Sequence, residues 1–199
     1  GVVGTVENQN GTTYINNITN NIEHDHSWTA NNTGSSIVTT YNRTGGLVGY
    51  NRLTGTGTID IDGNIVQNTI VTNPTALGNV TRNTYTGGLV GLSQNEATGT
   101  ILVQNSASTK DITGVSYVGG VAGYAYDTST GTTKFIKDYS LGNVTATENY
   151  VGGFIGYFNS AKNSVGVIEK SFSSGNVESE GSYVGSFAGQ TNYTTIQNC

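Results

Sequence analysis

Short apolar segments recur at regular intervals along the chain, separated by polar stretches rich in Gly, Asn and Thr. The clearest pattern is Gly-apolar-apolar-Gly, whose last glycines follow one another at steps of 45, 42, 32, 33 and 33 residues. Self-similarity at a fixed period of this size indicates a repeat protein with a unit of about 33 residues. The pattern occurs as "GVVG" at 1–4, "GLVG" at 46–49, "GLVG" at 88–91, "GVAG" at 120–123 and "GFIG" at 153–156, with the variant "SFAG" at 186–189.

Two further landmarks keep step with the glycine motif. A branched apolar residue precedes each last glycine by 11 or 12 residues, at Val38, Val80, Ile112, Val144 and Val177. The other landmark begins with an apolar residue and follows the motif, as "VQNT" at 66–69, "VQNS" at 103–106, "IKDY" at 136–139, "IEKS" at 168–171 and "IQNC" at 196–199. Each unit is therefore predicted to contain three short strands, such as "VQNSAS", "DITGV" and "SYVGGVAGY".

These segments are rich in Val, Ile, Thr and Tyr and are bounded by Gly, Asn and Ser, which is typical of β-strands. No stretch keeps an apolar period of 3.6 residues over three turns, so helix is a minor component at most. We therefore predict an all-β fold, a β-solenoid or β-helix whose strands stack in parallel about 4.8 Å apart from unit to unit. The chain is interpreted as a single repeat domain, residues 1–199, with a divergent long first unit at 5–44 and regular units at 45–199.

The glycine motif places apolar residues on both faces of the strand that carries it. In "YVGGVAGY", Tyr117 and Val121 share one face while Val118 and Tyr124 share the other, because side chains alternate along a strand. This pattern predicts a strand buried on both sides, where glycine lets a neighbouring backbone or ring approach closely. The glycines given this structural role are Gly46, Gly49, Gly88, Gly91, Gly120, Gly123, Gly153, Gly156 and Gly189.

Tyrosine recurs six residues before the last glycine of four motifs. Because equivalent residues of stacked units lie above one another, Tyr85, Tyr117, Tyr150 and Tyr183 are predicted to form an aromatic ladder. Arg43 occupies the same place in the preceding unit. The structural interpretation of the ladder is packing over glycine, and the functional alternative is a surface on which sugars stack.

The composition excludes several classes of protein. Only 11% of the residues are charged, against about 25% in ordinary globular domains, and the formal net charge is -5. No basic run could neutralise phosphates, so nucleic acid is not an expected partner. The 12 Tyr and 5 Phe argue against a disordered chain. No apolar stretch approaches the roughly 18 residues of a membrane span, so none is predicted in this chain.

Few residues are candidates for chemistry. His24 and His26 in "IEHDHSW" lie two residues apart, so on a strand both would point to one side and could share a metal with a third ligand. Asp60 and Asp62 in "DIDGN" resemble the start of a calcium loop, but no Glu follows at the required spacing. We favour a solvated loop for the histidines and a polar strand face for the aspartates, so neither a metal nor a cofactor is predicted.

The pattern of acids and nucleophiles also argues against catalysis. The 13 acidic residues are scattered, and no pair is in register to act as acid and base. No Ser or Cys is placed in an evident nucleophilic dyad. We therefore predict that the chain is not an enzyme.

Asn-x-Ser/Thr triplets are frequent in this Asn-rich and Thr-rich chain, and such triplets also arise by chance. They mark sites of glycosylation only if the source has the machinery. The candidate positions are Asn10, Asn17, Asn31, Asn42 and Asn192.

The segments "SYVGGVAGY", "NYVGGFIGYFN" and "TGGLVGYN", paired with "SLGNV" and "SSGNV", resemble the GLUG repeat, named for Gly-Leu-(bulky)-Gly. That repeat occurs in bacterial surface adhesins of the filamentous haemagglutinin type and in the non-catalytic part of IgA-specific metallopeptidases. The resemblance covers residues 41–199 well and residues 1–4 as a remnant. It implies an extracellular, repetitive β-structure that serves as a stalk, spacer or adhesive surface, and it implies no catalysis.

These observations predict an extracellular or cell-surface β-solenoid with structural or adhesive duty, as part of a longer chain or as a filament subunit. Neighbouring solenoid units or subunits, a cell-surface receptor or a glycan are the expected partners. Three alternatives stay open: a filament that assembles by end-to-end or edge stacking, a carbohydrate-binding β-helix, and an ice-binding solenoid hinted at only by "TGTGT" at 54–58.

Overall fold

The computed structural model describes residues 3–16, 19–20, 36–39, 43–67, 69–72 and 84–199. Within these residues all regular elements are β-strands, and every strand pairs in parallel with its equivalent in the neighbouring coil. The strands form five sheets, here named A to E in the order in which the chain first enters them. The predicted all-β fold with parallel stacking, a β-solenoid, is confirmed. No helix long and apolar enough to cross a membrane occurs in these ranges.

The bounds of the strands follow sheet by sheet. Sheet A contains Val3–Asn8, Val48–Leu53, Val90–Asn95, Ala122–Asp127, Ile155–Asn159 and Ala188–Asn192. Sheet B contains Thr12–Asn16, Thr58–Asp62, Thr100–Gln104, Thr132–Ile136, Val165–Glu169 and Thr194–Gln197. Sheet C contains Thr19–Asn20, Ile65–Val66, Ala107–Ser108, Tyr139–Ser140 and Phe172–Ser173. Sheet D contains Ser36–Thr39, Thr69–Thr72, Ile112–Gly114, Val144–Ala146 and Val177–Ser179. Sheet E contains Arg43–Gly45, Tyr85–Gly87, Val118–Gly119, Val151–Gly152 and Val184–Gly185.

The register of sheet A reproduces the spacing of the glycine motif. Its strands align through successive partners that are separated by 45, 42, 32, 33 and 33 residues: Val3, Val48, Val90, Ala122, Ile155 and Ala188. One passage through sheets A to E is therefore one coil, and we number the coils from 1 at Val3. The last glycine of each motif is the second residue of its sheet A strand, as Gly123 is in Ala122–Asp127.

Each full coil contains five strands, where the sequence predicts three segments. Two of the predicted segments bend. "VQNSAS" bends at Asn105, whose φ of 49° separates a sheet B strand from a sheet C strand. "SYVGGVAGY" bends between Val118–Gly119 of sheet E and Ala122–Asp127 of sheet A. A single residue in left-handed conformation turns the chain sharply, and this corner recurs with positive φ at Gly63, Asn105, Lys137, Lys170 and Asn198.

Three of the predicted landmark residues are displaced from the observed register. Ile70 is the sheet D partner of Ile112, and Ile37 is the partner of Ile70, so Val38 is one residue out of line. Val80 lies outside the described residues. In sheet B the partners of Val103 are Ile61 and Phe135, not Val66 and Ile136. Val66 lies in sheet C, where it pairs with Ser108. A slip of one residue moves a side chain to the opposite face of a strand, and Phe135 is indeed buried while Ile136 is half-buried.

Phe154 and Ile155 pack into one core, which corrects the prediction of a strand buried on two sides. Both side chains have no exposed surface, and both belong to the same apolar cluster. The Phe154 and Phe158 rings each meet the Phe135 ring edge-on, with centroids 6.0 and 5.7 Å apart. Because the chain bends between sheets E and A, consecutive residues both reach the interior. The outer side of the same segment carries tyrosines.

The glycines at this bend are required by close approach, as predicted. A β-carbon added at Gly120 would lie 2.1 Å from the carbonyl oxygen of Gly153 in the next coil and 2.1 Å from the Ser140 hydroxyl across the coil. Equivalent contacts occur at Gly88 and Gly153, and Gly46 is buried at the same corner. The last motif glycines are crowded from the preceding coil, whose carbonyl oxygens would lie 2.5–2.8 Å from a β-carbon at Gly49, Gly91, Gly123, Gly156 and Gly189.

Candidate functional site

The four predicted ladder tyrosines stand at the corner that leads into sheet E. Tyr117, Tyr150 and Tyr183 adopt left-handed backbone conformation, with φ of 50, 64 and 60°. Their rings form a column, with centroids 5.1 Å apart from Tyr85 to Tyr117, 4.7 Å from Tyr117 to Tyr150 and 4.8 Å from Tyr150 to Tyr183. The aromatic ladder predicted from the sequence is therefore present, and it lies on the outside of the coil.

A second column of tyrosines runs beside the first on the outer face of sheet A. Tyr124 and Tyr157 are register partners whose ring centroids lie 5.2 Å apart. Tyr157 also stacks on Tyr150 at 5.3 Å, and Tyr124 stacks on Tyr85 at 5.5 Å, so the columns interlock. Sequence patterns did not reveal this column, although Tyr124 and Tyr157 directly follow the last motif glycine. Tyr126 lies beside it, with its ring centroid 5.1 Å from that of Tyr124, and Tyr50 occupies the same register two coils before Tyr124. We name the two columns with these two neighbours the tyrosine face, which consists of Tyr50, Tyr85, Tyr117, Tyr124, Tyr126, Tyr150, Tyr157 and Tyr183.

The rings of the tyrosine face cover one another's flat surfaces. The Tyr150 and Tyr183 ring planes differ by only 3° and those of Tyr117 and Tyr150 by 15°. Sugars bind to the flat side of an aromatic ring, whereas this stack presents ring edges and hydroxyl groups. Tyr183, which is 53% exposed, is the end of the described column and keeps one flat side open. The arrangement therefore favours packing between coils over a sugar-stacking surface.

Polar side chains border the tyrosine face at its first coils. The Arg43 guanidinium lies 4.2 Å from the centroid of the Tyr50 ring, a cation–π contact at the place where other coils carry a ladder tyrosine. The Tyr50 hydroxyl donates to Oε1 of Gln94 over 2.5 Å. Arg52 bonds Glu96 over 2.8 Å at the same border. These contacts connect the outer faces of coils 2 and 3 by side chains as well as by backbone.

Packing among the rings changes the acidity of several phenols. Burial raises the pKa of Tyr124 to about 12, although a hydrogen bond with Asn159 opposes the shift. Burial also raises the pKa of Tyr126 to about 12. Both hydroxyl groups are therefore protonated at physiological pH.

Inside the coil, a column of polar residues follows the left-handed corner. The backbone N–H of each residue donates to a side-chain oxygen in the next coil: Asn64 to Ser106 over 3.1 Å, Ser106 to Asp138 over 2.9 Å, and Asp138 to Ser171 over 3.2 Å. We name these four residues the corner relay. It satisfies N–H groups that the sharp turn removes from the sheets.

Two buried acids are enclosed in the coil. Burial raises the pKa of Asp138 well above its ordinary value, and its Oδ2 has no hydrogen-bond partner among the described residues. Burial raises the pKa of Asp127 to about 6, and donors on Thr133 and Ser160 partly oppose this. Asp127 is only 3% exposed and Asp138 has no exposed surface, so neither carboxyl is positioned to meet a substrate.

Of the weak metal candidates, the structure describes the two aspartates. Asp60 and Asp62 lie half-buried on sheet B, where Asp60 accepts from Gln104 over 3.1 Å and Asp62 accepts from Asn105 over 2.9 Å. They form a polar strand face in front of the turn at Gly63. His24 and His26 lie outside the described residues. Within the ranges that the structure covers, no group of three or more His, Cys, Asp or Glu could hold a metal ion.

The glycosylation candidates differ in accessibility. Asn10 is exposed, whereas Asn192 is half-buried and donates to the Tyr157 hydroxyl over 2.8 Å. Asn17, Asn31 and Asn42 lie outside the described residues. A glycan on Asn192 would have to displace its contact with the tyrosine face, so Asn10 is the better acceptor of the two.

Comparison of the chain with known protein families, with curated proteins and with solved structures found no match. No relative therefore assigns a role to the tyrosine face or to the corner relay.

Proposed function

We propose that the chain is an extracellular, cell-surface β-solenoid with structural or adhesive duty, acting as a stiff stalk or as a contact surface. The observation that carries the proposal is the continuity of the ladders: all five sheets keep their register from coil to coil. Stacked rings on the outside and the corner relay on the inside add side-chain links between coils. The resemblance of the motifs to the GLUG repeat supports a place at the cell surface.

The geometry suits reach and stiffness better than chemistry. Each coil adds about 4.8 Å to the axis and is bonded along its whole contour to the next coil. The buried acids are closed to solvent, and the flat sides of the stacked outer rings are covered except on Tyr183. We therefore propose that the chain functions through its shape and its outer surface. The tyrosine face is the most distinctive part of that surface.

Insertion of a duplicated coil tests the structural proposal. A second copy of residues 122–154, placed after Phe154, repeats one strand for every sheet. We expect the particle to lengthen by about 4.8 Å in small-angle X-ray scattering, with no loss of melting temperature. The matched control carries a Gly/Ser insert of equal length at the same place. A duplicated coil that behaves like the control, flexible and less stable, would contradict the proposal.

A filament subunit is a second candidate function, favoured by the apolar surface of the last coils. Phe172, Tyr183, Val184 and Ile196 are each 41–53% exposed. They occupy the side on which a further coil would continue the sheets. We expect electron microscopy of concentrated protein to show end-to-end fibres if this edge joins copies. A monomer at all concentrations in analytical ultracentrifugation would exclude that assembly for this chain.

A further inference from the structure

The tyrosine face holds phenol rings at the spacing of the stacked coils, about 4.8 Å. Of the 12 tyrosines in the chain, eight lie in this face, and neighbouring centroids along the first column are 4.7–5.1 Å apart. The Tyr117, Tyr150 and Tyr183 rings are nearly parallel, with planes that differ by 15° and 3°, whereas the Tyr85 ring is tilted by 48° from that of Tyr117. A parallel pair at this distance needs only a small shift of one ring to bring two ortho carbons together.

The composition makes these phenols the main oxidisable groups of the chain. The sequence contains no Met, one Trp and one Cys, so few other side chains compete for a one-electron oxidant. Cys199 is exposed and is the last residue of the sequence. Apart from Cys199, the described coils therefore offer a one-electron oxidant mainly tyrosine.

Tyr150 and Tyr183 are the pair with the best combination of contact and access. Their rings lie 4.8 Å apart with planes that differ by 3°. Tyr183 is 53% exposed, and no other ring covers its outer side in the described part of the chain. Tyr183 thus has both the freedom to shift toward its partner and an open path for an oxidant.

We propose that Tyr150 and Tyr183 are a site of oxidative cross-linking, at which an external haem peroxidase with hydrogen peroxide joins the two rings as o,o′-dityrosine. Each phenol gives up one electron and its hydroxyl proton to form a neutral phenoxyl radical. The two radicals form a carbon–carbon bond between ortho positions, and each ortho hydrogen then moves to oxygen to restore the phenol. One hydrogen peroxide accepts the two electrons and two protons and becomes two waters.

The bond links two successive coils. Tyr150 precedes the sheet E strand of coil 4 and Tyr183 precedes that of coil 5. A covalent link there closes a loop of 33 residues and prevents coil 5 from separating from coil 4. This inference rests on the ring geometry and the composition, so it stands or falls independently of the proposed surface location.

Lysine-specific cleavage after peroxidase treatment reports the bond directly. Lys162 and Lys170 separate the two tyrosines into peptides 138–162 and 171–199. We expect the folded protein to yield a joined species two hydrogen atoms lighter than the sum of these peptides, with fragmentation placing the bond at Tyr150 and Tyr183. Tyr183→Phe, which keeps the ring stack, is expected to abolish this species.

Tyr193→Phe is the matched control, because Tyr193 lies in the same peptide, is 68% exposed and has no ring contact in the described residues. The Tyr150–Tyr183 product is expected to persist in this variant and to disappear when the protein is unfolded in urea before oxidation. Cross-links that run mainly through Tyr193, or between molecules, would overturn the proposal, as would a product that survives in Tyr183→Phe. Circular dichroism confirms that each Phe variant is folded.

Discussion

Two glycine corners, one at the end of coil 4 and one within coil 5, are equally crowded but unequally buried. A β-carbon at Gly153, between sheets E and A, would lie 2.1 Å from the carbonyl oxygen of Ser186, and one at Gly175, between sheets C and D, 2.0 Å from that of Gly142. Gly153 is buried beside Phe154, whereas Gly175 is half-buried between the exposed Ser174 and Asn176. Crowding explains why both corners carry glycine. Burial decides whether the chain around a substitution can move.

The largest expected effect is that of Gly153→Val. The added side chain has to push the next coil away, and because its neighbours are buried the strain spreads into the core, at a cost of about 4 kcal/mol in the free energy of unfolding. Gly175→Val meets an equally close backbone, but its exposed turn can shift outward, at a cost of roughly 2 kcal/mol. Urea unfolding of both variants measures the difference. Equal losses would show that crowding alone sets the cost.

The second largest expected effect comes from burying a charge rather than from adding side-chain volume. The pKa of Asp127 is about 6 in the folded chain and 3.8 as its ordinary value, so the folded state holds the proton more tightly. Stability is then lost as the pH rises from about 4 to about 6, by roughly 3 kcal/mol, and stays lower above that window. Asp127→Asn cannot lose a proton, so we expect it to be more stable than the natural protein at pH 7.

Unfolding curves at pH 3.5 and pH 7 check the effect of Asp127→Asn, since the advantage of the variant should vanish at the lower pH. Asp111→Asn is the control, because it removes the same charge from an exposed position, where no charge is buried on folding. An Asp127→Asn advantage that is the same at both pH values would mean that titration of this carboxyl does not cause it.

The smallest expected effect is on the outside of the coil. Tyr117→Leu removes stacking with Tyr85 and Tyr150 and is expected to cost about 1 kcal/mol, while Tyr117→Phe keeps the rings and should cost less. Tyr193→Leu is the matched control, because Tyr193 shares the left-handed backbone, with φ of 48°, without the stacking. Thermal melting distinguishes the variants. A Tyr193→Leu loss as large as that of Tyr117→Leu would assign the cost to backbone strain.

The sequence predicts the repeat period, the close contacts at the glycines and the first tyrosine column. Each of these features depends on a residue type, glycine or tyrosine, that recurs at one position of the repeat. Gly123 and Tyr117 recur at fixed spacing, and no other explanation accounts for both. The left-handed corner was not predictable in the same way. Only Gly63 marks it with a glycine, while Asn105 and Lys137 adopt positive φ because the neighbouring coils hold them there.

Sequence patterns also failed where two adjacent residues are both apolar. Phe135 and Ile136 are equally plausible members of the sheet B core, and only the backbone pairing shows that Phe135 faces inward. The second tyrosine column was within reach, because Tyr124 and Tyr157 each follow the last motif glycine. The interruption by Leu92 in the same register hid it.

The corner relay has a consequence for how such a chain can be lengthened or shortened by recombination of its gene. Each coil offers one N–H at the corner, and the following coil needs only a short side chain with an oxygen there, as Ser106, Asp138 and Ser171 all provide. A coil that meets this requirement keeps the corner of the preceding coil hydrogen-bonded. The same hydrogen bond therefore joins each pair of successive coils from coil 2 to coil 5. When a whole coil is duplicated or deleted, the coils on either side can still form this bond.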